Sequence, residues 1–97
     1  MTVVQGNREV EKVGILFDAS MAKNVRQSKY LHGYVSEEII GTKIRMHFLS
    51  ACFYSFCRWL LMFGNTVEIE YPEKAKDILV ELVEELSTHH MRHTVAQ

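Results

Sequence analysis

The chain is predicted to be α+β, with one antiparallel sheet of four strands, helices on one face of it, and an added C-terminal helix. Three observations predict this. Apolar residues alternate with a period of two in Glu11–Asp18, Lys43–Leu49 and Val67–Tyr71, the mark of strands buried on one face. They recur at helical spacing in the segments between and after these. A Gly41-Thr42 turn joins a further strand-favouring run to the most regular of the alternating ones, as in a hairpin. The resulting order, β-α-β-β-α-β-α, places two β-α-β units around a central hairpin, which is the ferredoxin-like split β-α-β layout. With 97 residues there is room for one core and not two.

Each element follows from its residues. Residues 1–10 lack periodicity and contain Gly6 and Asn7, so they read as a lead-in from an upstream domain, with the folded domain over 11–90 and a disordered tail over 91–97. In the first strand Val13, Ile15 and Phe17 share a face against Lys12, Gly14, Leu16 and Asp18. Asp18 and Ser20 are candidate N-caps for a short helix, Ala19–Gln27, with Met21 and Val25 inward and Lys23, Asn24 and Arg26 outward. Tyr30 to Ile40 is expected to be extended, carrying Tyr30, Tyr34, Val35, Ile39 and Ile40. In Lys43–Leu49 the set Ile44, Met46 and Phe48 faces away from Lys43, Arg45 and His47.

Ser50 is the expected cap of a helix over Ala51–Phe63, where Phe53, Phe56, Cys57 and Leu60 form the buried face. Cys52, Trp59 and Phe63 widen the apolar arc on one flank, and Tyr54 and Leu61 on the other, leaving Ser55 and Arg58 as the polar strip. A helix so apolar packs against more than one layer. Gly64-Asn65 ends it with a left-handed cap. Val67, Ile69 and Tyr71 share a face of the fourth strand, and Pro72 opens a last helix, Glu73–His89. Its inner stripe is Ala75, Ile78, Leu79, Leu82, Val83 and Leu86, and its wet side holds Glu81, Glu84 and Glu85.

Composition excludes several function classes. A formal net charge of −1, from 11 basic and 12 acidic residues, leaves no strongly cationic arm for nucleic acid or a membrane surface. The apolar run Phe53–Phe63 is about half of the ~20 residues that span a bilayer. Cys52 and Cys57 lie roughly 140° apart around one helix, too far for a mutual disulfide, and both read as buried thiols of a reducing, cytoplasmic compartment.

Candidate binding residues form a local set. Arg26, Lys29, Tyr30 and His32, joined across the sheet by Arg45 and His47, combine cations with aromatic faces, the chemistry that grips phosphates and stacks bases; the plain alternative is a solvated sheet edge. Arg58 stands alone on its apolar helix, to contact an effector or to cover apolar surface with its stem. Trp59, Met62 and Phe63 are candidate interface residues. His89 and His93 share a helical face beside His90, but no further ligand converges there, so neither a metal nor a cofactor is expected. Cys57 and the histidines form no activated nucleophile, and Asp18 stands where an acylphosphatase-like anion loop would need positive potential, so no enzyme is expected.

The stretch Arg58-Trp59-Leu60-Leu61-Met62-Phe63-Gly64, followed by Val67-Glu68-Ile69 and Pro72, resembles the "RWLLxFG…VEV…P" pattern of the C-terminal extension, or WCX region, of WYL-domain-containing bacterial transcriptional regulators. Val13-Gly14-Ile15-Leu16-Phe17-Asp18 is similar to the opening strand of that region and Asn24-Val25-Arg26 to its "RVR" segment, so the resemblance runs from Glu11 to about His89. The sequence departs from the family at Tyr30 and Tyr34, where members often carry a Trp and then a Gln. The resemblance implies a longer regulator of helix-turn-helix, WYL domain and this extension. It also implies homodimerisation and the sensing of an effector, which for some members is nucleic acid. A small-molecule-binding regulatory domain of the same fold is the alternative.

Overall fold

Two β-α-β crossovers interleave in the computed structural model, which describes residues 9–95; most of the expected lead-in, residues 1–8, lies outside the described residues. Strand β1 is Glu11–Asp18, followed by a 3-10 turn, Ala19–Met21, and helix α1, Ala22–Arg26. A second 3-10 turn, Lys29–His32, leads into β2, Tyr34–Ile40, and its hairpin partner β3, Lys43–Ser50. Helix α2, Phe53–Leu60, continues as a 3-10 segment, Leu61–Thr66, into β4, Val67–Tyr71, and the long helix α3, Glu73–Val95. The strand order is β2-β3-β1-β4 with every neighbour antiparallel, so each crossover skips one strand. This α+β arrangement is consistent with the ferredoxin-like class expected.

The core forms because strand residues of one parity face one side. Register pairs Val13 with Phe48, Ile15 with Met46 and Phe17 with Ile44, and on the other flank Ile15 with Ile69. All seven side chains are buried, as are Val25, Phe56, Cys57, Trp59, Leu60, Phe63, Ala75 and Leu82 from the helical layer. Trp59 is the hub of that layer. Its ring centroid lies 5.3 Å from Phe63, 5.6 Å from Phe56, 5.7 Å from Phe48 and 6.5 Å from Phe17, mostly edge-on, the geometry that aromatic quadrupoles favour.

Several local expectations are corrected. Asp18 makes no side-chain cap; its carboxylate accepts from Lys43 Nζ at 2.7 Å, and α1 is shorter than Ala19–Gln27. Tyr30 and His32 lie in a 3-10 turn and not in β2, because Gly33, at φ 88°, brings the chain against β3 and accepts from Leu49 N at 2.9 Å. A Cβ at Gly33 would lie 2.0 Å from the Leu49 carbonyl oxygen. Ser50 accepts from the Cys52 amide at 3.2 Å, and Cys52 holds the N-cap position of α2. Gly64 has positive φ, but its ψ of −131° is outside the left-handed helical region. Helix α3 runs to Val95, through most of the stretch expected to be a disordered tail.

Two further corrections bear on function. Val83 and Leu86, expected on the inner stripe of α3, are exposed, since the eight residues of α2 cannot cover a helix of 23. Tyr71 does not share a face with Ile69. The β1–β4 register slips between Ile15↔Ile69 and Gly14↔Tyr71, so a bulge at Glu70 turns Tyr71 onto the side of the sheet away from the helices.

Candidate functional site

The basic and aromatic residues grouped from the sequence are divided between the two sides of the sheet. Lys29 is buried. Its Nζ donates to Glu37 Oε1 at 2.8 Å and stands 4.0 Å from the centroid of the Tyr34 ring, while Tyr34 Oη donates to the same carboxylate oxygen at 3.0 Å. Burial opposes the charge on Lys29, but the bond and Coulomb attraction to Glu37 outweigh it and raise its pKa. The hydrogen bond from Lys29 in turn holds the Glu37 carboxyl below its ordinary range. This cation pins the 3-10 turn to β2 and is not presented to a phosphate. His32 stacks on Trp59 at 4.1 Å and 16°, and burial lowers its pKa. Tyr30 packs edge-on against Tyr34 at 5.2 Å with its ring exposed, and Arg26 is exposed.

Arg45 is on the opposite side, the open face of the sheet. Its Nε and Nη2 donate to the two carboxylate oxygens of Glu70 at 2.6 and 3.1 Å, and Nη1 donates to Glu38 at 3.1 Å. The guanidinium thus reaches over β1 to β4 while also holding β2, a bidentate pairing that leaves it committed. Of the expected cluster, then, Lys29, Tyr30 and His32 stay together at the β2 end, and Arg45 does not join them.

The expected interface residues also part company. Trp59 is 7% exposed and Phe63 6%, and Trp59 Nε1 donates to Ser28 Oγ at 3.0 Å, so both belong to the core; Met62 alone is outside, at 72%. On the other flank of α2, Arg58 lies over Tyr54, 5.7 Å from the ring centroid. These two, with Leu61, Leu82, Glu85 and Leu86, line a groove of about 210 Å³ between α2 and α3. Met62, in the 3-10 segment after α2, and Val83, on α3, are also exposed.

A second hollow, of about 360 Å³, lies on the open face and is lined by Lys12, Val35, Ser36, His47, Leu49 and Tyr71. Gly14 makes it possible. A Cβ at that position would lie 2.1 Å from Tyr71 Cε2, so only glycine lets the tyrosine ring rest on the strand. Thus laid down, Tyr71 places its hydroxyl 2.8 Å from His47 Nδ1. Lys12 makes no ion pair among the described residues. Sequence reasoning missed this site because the bulge at Glu70 leaves the alternation of β4 unchanged; the one local signal was a glycine inside a strand.

The thiols and histidines offer less. Cys57 is fully buried, its Sγ donates to Ala75 O at 3.4 Å, and burial pushes its pKa up to about 11, so it is not a thiolate at neutral pH. Cys52 is exposed, against the expectation that both thiols are inside. Among the described residues no group of three or more His, Cys, Asp or Glu is placed to hold a metal, and no helix is long and apolar enough to cross a membrane. No protein-family model matches the chain, and no curated protein matches it significantly.

Proposed function

We propose that this chain is the regulatory, dimerising and effector-sensing module of a bacterial WYL-type transcriptional regulator, acting in the cytoplasm without catalysis beside an upstream WYL domain and helix-turn-helix reader. One observation carries the reading. The stretch that most resembles the family, Arg58 to Gly64, divides into residues that close the core and residues left outside: Trp59, Leu60 and Phe63 are buried, while Met62 is exposed, and so is Arg58, which lines the groove with exposed Tyr54 and Leu86. Core needs alone do not call for apolar side chains at Tyr54, Met62 and Leu86. A second copy of the chain meeting this helical surface would bury them, with Arg58 and Glu85 at the groove supplying charges of opposite sign for register.

Light scattering behind size exclusion tests this on the whole chain. The expected result is a dimer that Met62→Lys together with Leu86→Lys converts to a folded monomer. A wild-type chain that stays monomeric across the accessible concentration range would overturn the dimerisation reading.

The small-molecule alternative gains support from the open-face hollow, whose volume falls at the lower end of the ~300–1,000 Å³ typical of ligand sites. The nucleic-acid version of effector sensing loses ground, since Lys29 and Arg45 are both held by carboxylates.

A further inference from the structure

The geometry of the open face points to a binding site for a small aromatic monocarboxylate in the hollow between Lys12, Ser36, His47 and Tyr71. The inference rests on the effector-sensing reading above and names the chemistry of the effector. Charge decides the first part. Among the described residues of the strands, three cations stand on this face, and two are spent: Lys43 on Asp18 at 2.7 Å and Arg45 on Glu70 and Glu38. Lys12, opposite Leu49 in the β1–β3 register, makes no ion pair among the described residues and lines the hollow. One available ammonium suits one anionic group. A polyanion laid along the same face would meet Glu38, Glu68 and Glu70, so a nucleic-acid strand is a poor occupant.

The walls decide the second part. Val35 and Leu49, both exposed, and the ring of Tyr71 supply an apolar lining, while the Ser36 hydroxyl and the His47 imidazole supply polar contacts beside it. This mixture, mostly apolar with a few convergent polar groups, is the usual composition of a small-ligand site. It is also built and not incidental. Gly14 and the bulge at Glu70 together hold Tyr71 against the sheet, and the 2.8 Å contact with His47 Nδ1 fixes both rings and leaves the other imidazole nitrogen for a ligand. Two strand irregularities flank the site, since β2 also slips register at Val35, between Tyr34 and Ser36. Bulges re-aim side chains in this way next to functional sites.

The test uses the isotopically labelled whole chain, with backbone amide shifts followed by nuclear magnetic resonance during addition of benzoate, 4-hydroxybenzoate or indole-3-acetate. The corresponding neutral amides serve as controls. The expected result is saturable shifts at Lys12, Ser36, His47 and Tyr71 with at least one acid, an affinity about fivefold above that of its amide, and loss of that preference in Lys12→Gln. No shifts with any acid, or equal binding of acid and amide, would overturn the inference. So would an oligothymidylate that binds the same residues more tightly and with a steep salt dependence. Light scattering on the same samples reports the dimer independently, so failure of the ligand site and failure of the regulatory reading are told apart.

Discussion

Replacing Gly14 by alanine tests whether the open-face site is built in the manner described. The added Cβ would stand 2.1 Å from Tyr71 Cε2, 2.6 Å from Cζ and 2.7 Å from Cδ2, so the ring must retreat by about 1.4 Å to reach ordinary carbon contact near ~3.5 Å. The contact with His47 at 2.8 Å does not survive such a movement. Losing that hydrogen bond costs about 1 kcal/mol, and lifting the ring off the strand costs about 1 kcal/mol more in packing. Against this, alanine in a strand interior recovers roughly 0.5–1 kcal/mol of the backbone entropy that glycine loses on folding. The net expectation is a destabilisation of about 1 kcal/mol for Gly14→Ala in the wild-type background. With Tyr71→Ala already present the obstacle is gone, and the same substitution becomes stabilising by about 0.5 kcal/mol. Urea unfolding of the two single variants and the double variant closes the cycle, with an expected coupling of about 1.5 kcal/mol. A coupling indistinguishable from zero would refute the claim that glycine is there to seat the tyrosine.

Other perturbations read other parts of the structure. Trp59→Ala empties the centre of the aromatic layer and should cost about 3–5 kcal/mol in urea unfolding, whereas an interface tryptophan would lose dimerisation with little loss of monomer stability. Glu37→Gln leaves the buried Lys29 ammonium without its anion and should destabilise by about 1–3 kcal/mol near neutral pH. The Glu37 carboxyl sits below its ordinary range, so its contribution is present above the unfolded pKa and fades as pH falls through the folded one; the gap between wild type and Glu37→Gln should therefore narrow from about pH 6 to about pH 3. Burial lowers the His32 pKa, so below its ordinary value the unfolded chain binds the extra proton and stability falls; in His32→Gln the loss of stability on going from about pH 7.5 to about pH 5 should be smaller.

What was legible in the sequence is what repeats. Val13, Ile15 and Phe17, Ile44, Met46 and Phe48, and Phe56, Cys57 and Leu60 all lie in the core where their spacing puts them, because period is a property of several residues at once. What was not legible turns on single residues and distant partners. Nothing local tells that Lys29 is buried, since the burial depends on Glu37 eight residues on and on the Tyr34 ring. Arg45 reads as an available cation until β4 brings Glu70 beside it. The exposure of Val83 and Leu86 depends on where α2 ends and not on their own spacing. Half of the open-face site is of this kind, for Tyr71 changes sides through one bulged residue, whereas Lys12 and His47 already lay on the polar parity of their strands.

Helix α3 has a mechanical consequence. Among the described residues its last buried side chain is Leu82, so the helix up to Val95 extends roughly 20 Å beyond its anchorage at 1.5 Å per residue. Such a rod works as a pointer. A tilt of about 10° where Ala75 and Leu82 rest on α2 would sweep its tip through about 3.5 Å, comparable to the displacements that separate two packed states of an interface. Small readjustments of the core beneath α2 are therefore enlarged at the far end of this helix.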